Sequence, residues 1–149
     1  MNCTLIICTY KWPKALDLVL QSVLSQSNLP EEIIIADDGS GERTKKVIKE
    51  FSIKTSLPVI HSWQKDKGCR IPHSRNLAIS RANNEYIIMV DGDTVLHEDF
   101  IKDHKLFAQR GLYIQGSRVL LQNDFTLGLL NEMIFKKPSF FSNDLKNRF

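Results

Sequence analysis

The chain has 149 residues, 42% hydrophobic and 25% charged, and twenty basic against seventeen acidic residues leave a formal charge of +3. That length and balance describe one domain, or a large part of one, with its own core; disorder, collagen and coiled coil are excluded for the chain as a whole. A charge of +3 gives no ground for a nucleic-acid partner.

In chain order, the opening stretch Met1-Asn-Cys-Thr lacks a basic n-region, and no apolar run approaches the roughly 18 residues of a membrane span, which predicts a cytoplasmic protein. Leu5-Ile-Ile-Cys8 reads as a first strand, short and apolar on both faces, as in a parallel sheet covered on two sides. A helix follows, with Leu16, Val19, Leu20, Val23 and Leu24 on one stripe and Pro13 in its first turn. Ile33-Ile-Ile-Ala36 is a second strand. Ser40 is the expected N-cap of the next helix, whose stripe is Val47, Ile48 and Phe51. Pro58-Val-Ile60 is a third strand, and Pro72 opens a third helix carrying Leu77, Ala78 and Ala82. Tyr86-Ile-Ile-Met-Val90 is a fourth strand. Phe100, Ile101, His104 and Phe107 mark a fourth helix, with Glu98 and Asp99 at its positive end and Gly111 as its stop. Leu112-Tyr-Ile-Gln, continuing to Val119-Leu-Leu121, predicts a fifth strand. The alternation predicts an α/β fold: an open, mostly parallel sheet with helices on both faces. From residue 122 to 149 the helical period fades while five of the eight phenylalanines gather: Phe125, Phe135, Phe140, Phe141 and Phe149. They are expected either to close the sheet edge or, the favoured reading, to form an interface. Cys3, Cys8 and Cys69 form no C-x-x-C pair and read as buried free thiols.

Open α/β sheets bind ligands outside the carboxyl ends of their strands. There the sequence places Thr9-Tyr10-Lys11, then Asp37-Asp38-Gly39-Ser40, then a longer loop with Lys65, Lys67, Gly68 and Arg70, then Asp91-Gly92-Asp93. Asp91 and Asp93, two residues apart, are costly to hold together unless something positive satisfies them. Mg²⁺ or Mn²⁺ does so, taking one or two carboxylates and filling its shell with water and substrate phosphates. Gly92 lets the backbone turn tightly. Asp38 offers a carboxylate to an N–H of a nucleobase, Tyr10 a ring face for stacking, and Arg70 a fork for phosphate or for neighbouring carboxylates. Asp37 is assigned to the turn, Lys65 and Lys67 to a solvated loop, and Arg75 to an ion pair with the D-x-D. His61, His73, His97 and His104 show no metal-ligand spacing. Together the four loops suit a nucleotide diphosphate with its cation.

These motifs resemble those of family 2 glycosyltransferases over about residues 3–121. Thr9-Tyr10-Lys11 resembles the family's T-Y-N type opening. Ser22-Val23-Leu24-Ser25-Gln26-Ser27 and Asp37-Asp38-Gly39-Ser40 resemble its S-x-L-x-Q and D-D-G-S signatures. Gly68-Cys-Arg70 with Ser74-Arg75-Asn76-Leu77-Ala78 resembles its arginine-bearing third helix, and Asp91-Gly-Asp93 its D-x-D. The resemblance implies a GT-A (Rossmann-like) fold in which residues 1–121 bind a nucleotide-diphosphate sugar, expected to be a UDP-sugar. Thr9, Tyr10 and Asp38 would hold the nucleoside with Arg70 near it; Asp91 would contact ribose or sugar, and Asp93, with Asp91, the Mn²⁺ or Mg²⁺. It further implies transfer to a saccharide or lipid-linked acceptor in cell-surface polysaccharide synthesis. That role allows peripheral association with the inner face of the membrane, and the Phe-rich tail allows a homo-oligomer.

The departure lies at the far end. The family continues into a portion with the acceptor site and an acidic general base, often in an E-D pair. No comparable motif follows Gly116, where Asp124, Glu132 and Asp144 stand in unfamiliar contexts. The chain is therefore expected to be truncated, with residues 122–149 leading towards an acceptor region and the general base beyond its end. The rival readings are a nucleotide-sugar-binding module without turnover, and a haloacid-dehalogenase-type phosphatase with Asp91 of Asp91-Gly-Asp93-Thr94-Val95 as nucleophile. In the phosphatase case the paired-acid loop is on the wrong side, upstream. A sugar nucleotidyltransferase would need a Gly-rich first loop that this chain lacks.

Overall fold

In a computed structural model, which describes residues 1–139, 141 and 143–146, the most apolar segments are the two central strands. These are β1 (Cys3–Thr9) and β2 (Glu32–Asp37); β3 (Val59–Trp63) and β4 (Tyr86–Asp91) flank them in the order β3-β2-β1-β4, all parallel. A strand with neighbours on both edges and layers on both faces has no polar side, which is why Leu5, Ile6, Ile7, Ile33, Ile34 and Ile35 are all fully buried.

Side-chain alternation splits these residues between two layers. Leu5, Ile7, Ile33, Ile35, Ile88 and Val90 face helices α1 (Pro13–Leu24), α2 (Glu42–Lys54) and α4 (Phe100–Phe107) through Leu16, Val19, Leu20, Val23, Ile48, Phe51 and Ile101. Ile6, Ile34 and Ala36 face the opposite side, where Ala78 of α3 (Ile71–Ile79) covers them. Each fully buried Leu or Val of α1 contributes about 1.5–3 kcal/mol, so this stripe anchors the larger layer. The α/β expectation of an open parallel sheet with helices on both faces is met.

Several local expectations are not. The fifth strand does not form: residues 112–120 are irregular and mostly exposed, Tyr113 at 87%, and only Leu121 makes an isolated bridge, to Leu145. The apolar run has no strand beside it, because β4 pairs only with β1 among the described residues. Ser40 does not cap α2; Gly41 is the N-cap residue, and the Ser40 hydroxyl accepts instead from the Lys11 N–H at 2.8 Å. Gly111 does not end α4, which stops at Phe107 with Ala108 as its C-cap; Gly111 takes a left-handed conformation in the next turn. The tail contains a helix, α5 (Asn123–Glu132), that the fading period does not predict. It packs on α1, with Leu129 its one buried residue, and Gln21 ties the two by donating to the Met133 carbonyl and accepting from the Phe135 N–H. Phe125 and Phe135 are half-buried and Phe141 is exposed, whereas Phe140 and Phe149 lie outside the described residues. Of the thiols expected to be buried, Cys3 is, Cys8 is half-buried, and Cys69 is exposed. Among the described residues no helix is long and apolar enough to cross a membrane.

Candidate functional site

Parallel register brings the strand ends to one rim. Thr9 is level with Asp37, Asp37 with Trp63, and Cys8 with Asp91. The ladder continues one step past the strands, with Asp38 N–H donating to Thr9 O, Gln64 N–H to Asp37 O and Gly92 N–H to Cys8 O. Tyr10, Asp38, Gln64 and Gly92 therefore leave the sheet together.

Asp37 holds the turn, as its assignment requires. It is fully buried and accepts from the Ser40 N–H at 2.8 Å and from His61 Nε2 at 2.9 Å. Burial pushes its carboxyl up, but the His61 and Ser40 hydrogen bonds outweigh burial and hold it below the usual range.

Asp38, 3% exposed, is held from two sides. Its Oδ2 accepts from the Arg70 backbone N–H at 2.7 Å, and its Oδ1 from Gln64 Nε2. Both neighbours of Nε2, the Asp38 carboxylate and the Arg70 carbonyl, are acceptors, which fixes the Gln64 amide. Its Oε1 then faces His73 Nδ1, so that nitrogen must carry a proton. Two carboxylate oxygens offer about four lone-pair sites, which leaves Asp38 able to accept from a ligand as well.

A second clamp ties the same loops together. Asp66 accepts from Lys11 Nζ at 2.6 Å, from the Tyr10 hydroxyl at 3.3 Å and from the Gly68 N–H at 3.1 Å. Gly39, at φ +101°, lies so close to the Asp66 backbone that a Cβ would sit 2.6 Å from it. Only glycine satisfies both the left-handed backbone and that approach.

At the β4 end, Asp91 is bracketed by arginines: Arg75 Nη2 lies 3.0 Å from Oδ1 and Arg118 Nη1 3.5 Å from Oδ2. The Arg75–Asp91 ion pair is as expected; Arg118, from the irregular stretch after α4, is not. Arg75 Nε also donates to Cys8 Sγ at 3.4 Å, and burial, only partly opposed by Arg75, raises the Cys8 thiol. A Cβ on Gly92 would meet the Cys8 carbonyl at 2.8 Å, so the D-x-D turn presses against the end of β1. Asp93 is exposed, with no side-chain partner among the described residues. No three His, Cys, Asp or Glu side chains among them gather as a self-sufficient ion site.

Thr9, Tyr10, Asp38 and Asp91 line one cleft of about 80 Å³ together with Cys8, Ala36, Ile71 and Ser74. Ligand sites for drug-sized molecules run to about 300–1,000 Å³, so this cleft suits one ring rather than a whole nucleotide sugar. Arg70 and Asp93 do not line it. The Arg70 guanidinium donates to the Lys65 carbonyl at 2.6 Å, while its Nε is buried and unpartnered. A larger hollow of about 190 Å³, between Ser25, Leu96, Glu98, Phe135 and Lys137, contains no strand-end residue, and Glu98 pairs there with Lys137.

Sequence reasoning missed Gln64 and His73. The signal was the length of β3: once the strand is seen to run to Trp63, Gln64 becomes a strand-end residue like Asp38.

A model of glycosyl transferase family 2 matches residues 4–148. The chain is 31% identical to the chondroitin synthase of Escherichia coli over 128 residues, which are 85% of this chain and 16% of that protein. A crystal structure of Staphylococcus aureus TarS, residues 1–349, superposes with a TM-score of 0.62 at 26% identity, covering 72% of this chain and 32% of that one. The same fragment in complex with UDP-GlcNAc superposes at 0.59 with 25% identity, covering 72% and 31%. The chain thus spans about a sixth of the chondroitin synthase and a third of the TarS fragment. Its parallel sheet is that of GT-A enzymes, and the chain belongs to glycosyl transferase family 2.

Proposed function

We propose that this chain forms the donor-binding part of a glycosyltransferase. The enzyme takes a sugar from a UDP-sugar and passes it to a saccharide or lipid-linked acceptor in cell-surface polysaccharide synthesis. The observation that carries the reading is the convergence of Thr9, Tyr10, Asp38 and Asp91 on one cleft at the carboxyl edge of the sheet. The UDP-GlcNAc held by the S. aureus relative supports uridine as the base. In this reading residues 1–121 are the donor-binding core and residues 122–149 lead to the acceptor side.

Each side chain then has a task. The Asp38 carboxylate accepts the imide N–H of the base, and the half-exposed Tyr10 ring stacks on it. Arg75 and Arg118 stand at Asp91, where the diphosphate would lie, and Arg70 supplies a further positive charge beside the nucleoside. Opposite charges about 4 Å apart are worth roughly 4 kcal/mol at an effective dielectric near 20. Only the part that grows as the leaving diphosphate gathers charge accelerates transfer. Asp93 together with Asp91 fits Mg²⁺ or Mn²⁺, because Asp93 is exposed and unpartnered among the described residues and such ions draw the rest of their shell from phosphate and water. A bound ion would supply positive charge to the departing diphosphate.

Donor binding without turnover by these residues alone is the second reading. The carboxylates of Asp124, Glu132 and Asp144 do not line the cleft, and Glu132 is paired with Lys136 at 2.5 Å. Titration calorimetry with UDP tests the common core of both readings. Binding is expected to need Mn²⁺, to vanish in Asp93→Ala and to weaken in Asp38→Ala. Equal affinity of wild type and Asp93→Ala would remove the metal assignment, and no binding by wild type with Mn²⁺ would remove the donor site.

A further inference from the structure

Serines inside helices ordinarily fold their hydroxyl onto a carbonyl three or four residues back. Ser22 and Ser52 do so inside helices here, at 2.7 and 2.8 Å, and Ser25 and Ser80 do so as C-cap residues, at 3.1 and 2.9 Å. Ser74, on the first turns of α3, does not. Its residue is 2% exposed, yet its Oγ has no hydrogen-bond partner. The carbonyl four residues back belongs to Arg70, which already accepts from the Ser74 N–H at 3.0 Å and from Gln64 Nε2 at 3.3 Å. With both lone pairs taken, that carbonyl has none left for the hydroxyl. The Gln64 amide that fixes Asp38 thus also occupies the carbonyl four residues back from Ser74.

Ser74 lines the same cleft as Asp38. Ser62 Oγ and Arg70 Nε, the other buried unpartnered side-chain atoms among the described residues, do not. We propose that Ser74 reads the base: its hydroxyl donates to the pyrimidine carbonyl oxygen next to the N–H that Asp38 accepts. Uracil presents that carbonyl and N–H side by side, matching one donor and one acceptor on the cleft wall. The apolar side chains of Cys8, Ala36 and Ile71 line the cleft beside them. The inference rests on the donor-site reading above and adds to it a specificity residue outside its four carrying side chains.

The test is Ser74→Ala, followed by calorimetry with UDP and Mn²⁺, by competition with uridine, and by urea unfolding. A lost hydrogen bond to ligand weakens UDP about tenfold. Uridine should weaken by the same factor, because the contact is to the base. The unliganded protein should be equally stable or more so, since a methyl group replaces a buried hydroxyl without a partner. Unchanged UDP affinity overturns the proposal. So does a weakening of UDP that spares uridine, or a loss of affinity matched by a loss of stability. Wild type that fails to bind UDP brings down the donor-site reading itself, whereas wild type that binds beside an equally good Ser74→Ala brings down only this assignment.

Discussion

Asp38→Asn separates the architectural use of this side chain from its use on a ligand. The carboxylate meets two donors, the Arg70 N–H at 2.7 Å and Gln64 Nε2. An asparagine amide can face only one of them with its oxygen. Its NH₂ then opposes a donor in a place that is 3% exposed. One charge-assisted hydrogen bond is lost, worth about 1.5–3 kcal/mol, so urea unfolding should report a loss of about 2–3 kcal/mol. Gln64→Glu is expected to be worse at neutral pH. It sets two carboxylates in contact, and two like charges about 3 Å apart repel by roughly 5 kcal/mol at an effective dielectric near 20. That deficit should shrink on acidification, when one proton shared by the pair restores a donor. In Asp38→Asn with Gln64→Glu the polarity is reversed, the new amide donating to the new carboxylate, whose other oxygen still accepts from His73. The double variant should recover about 2–3 kcal/mol relative to the sum of the singles while still binding UDP weakly, because the charged acceptor for the base is gone. Asp38→Asn as stable as wild type, or singles that simply add, would refute the clamp.

Four other outcomes follow from the geometry. Gly39→Ala should cost at least about 2 kcal/mol, from a φ of +101° and a Cβ 2.6 Å from the Asp66 backbone. Gly41→Ser, in open space at an N-cap with no side-chain cap, should stabilise by about 0.3 kcal/mol; both are read by urea midpoint. His61→Ala should cost about 1–3 kcal/mol at pH 7. Because Asp37 is held below its unfolded value, near 3.9, the stability it supplies is present above that pH and is lost as pH falls through its folded value. The variant should therefore show a shallower acid limb in pH-dependent unfolding. Under Ellman's reagent Cys69 should react at once, and Cys3, which burial raises to about 11, only on unfolding. Cys8 should react slowly, and more slowly still with UDP present, since it lines the cleft.

What could be read from the residues was whatever local chemistry alone decides. Leu16, Val19, Leu20 and Val23 announce α1 because a helix with one buried face needs that spacing, and all four are fully buried. Ile33, Ile34 and Ile35 announce a central strand because only a strand covered on both faces tolerates three in succession. The stretch from Leu112 to Leu121 carries equally apolar runs and is not a strand, because strand formation also requires a neighbour with free N–H and C=O groups. No residue within the run records whether one exists. Helix α5 was obscured from the other direction: Gly128 interrupts its middle, and only Leu129 is buried, so its stripe is too thin to show a period. Thr9, Tyr10, Asp38 and Asp91 could be placed on one rim from the strand-end rule alone. Arg118 could not, since its approach to Asp91 depends on the path of an irregular segment.

The polar groups of the rim divide by whether their hydrogen-bonding capacity is already used. Asp37 and Asp66 are each held by two or more donors, and Gln64 spends both ends of its amide. Such groups fix where the loops stand, and their loss is felt as instability whether or not a ligand is present. Asp93 and Ser74 are the reverse case. One is an exposed carboxylate and the other a buried hydroxyl, each without a side-chain partner among the described residues. Burial makes the second the more informative, because an exposed acid is satisfied by water while an enclosed hydroxyl is not. Asp38 belongs to both classes, with two donors in place and lone pairs to spare. Substitutions at the fully engaged group should therefore move stability and affinity together, those at Asp93 and Ser74 should move affinity alone, and only Asp38 should need a compensating change at Gln64 to tell its two roles apart.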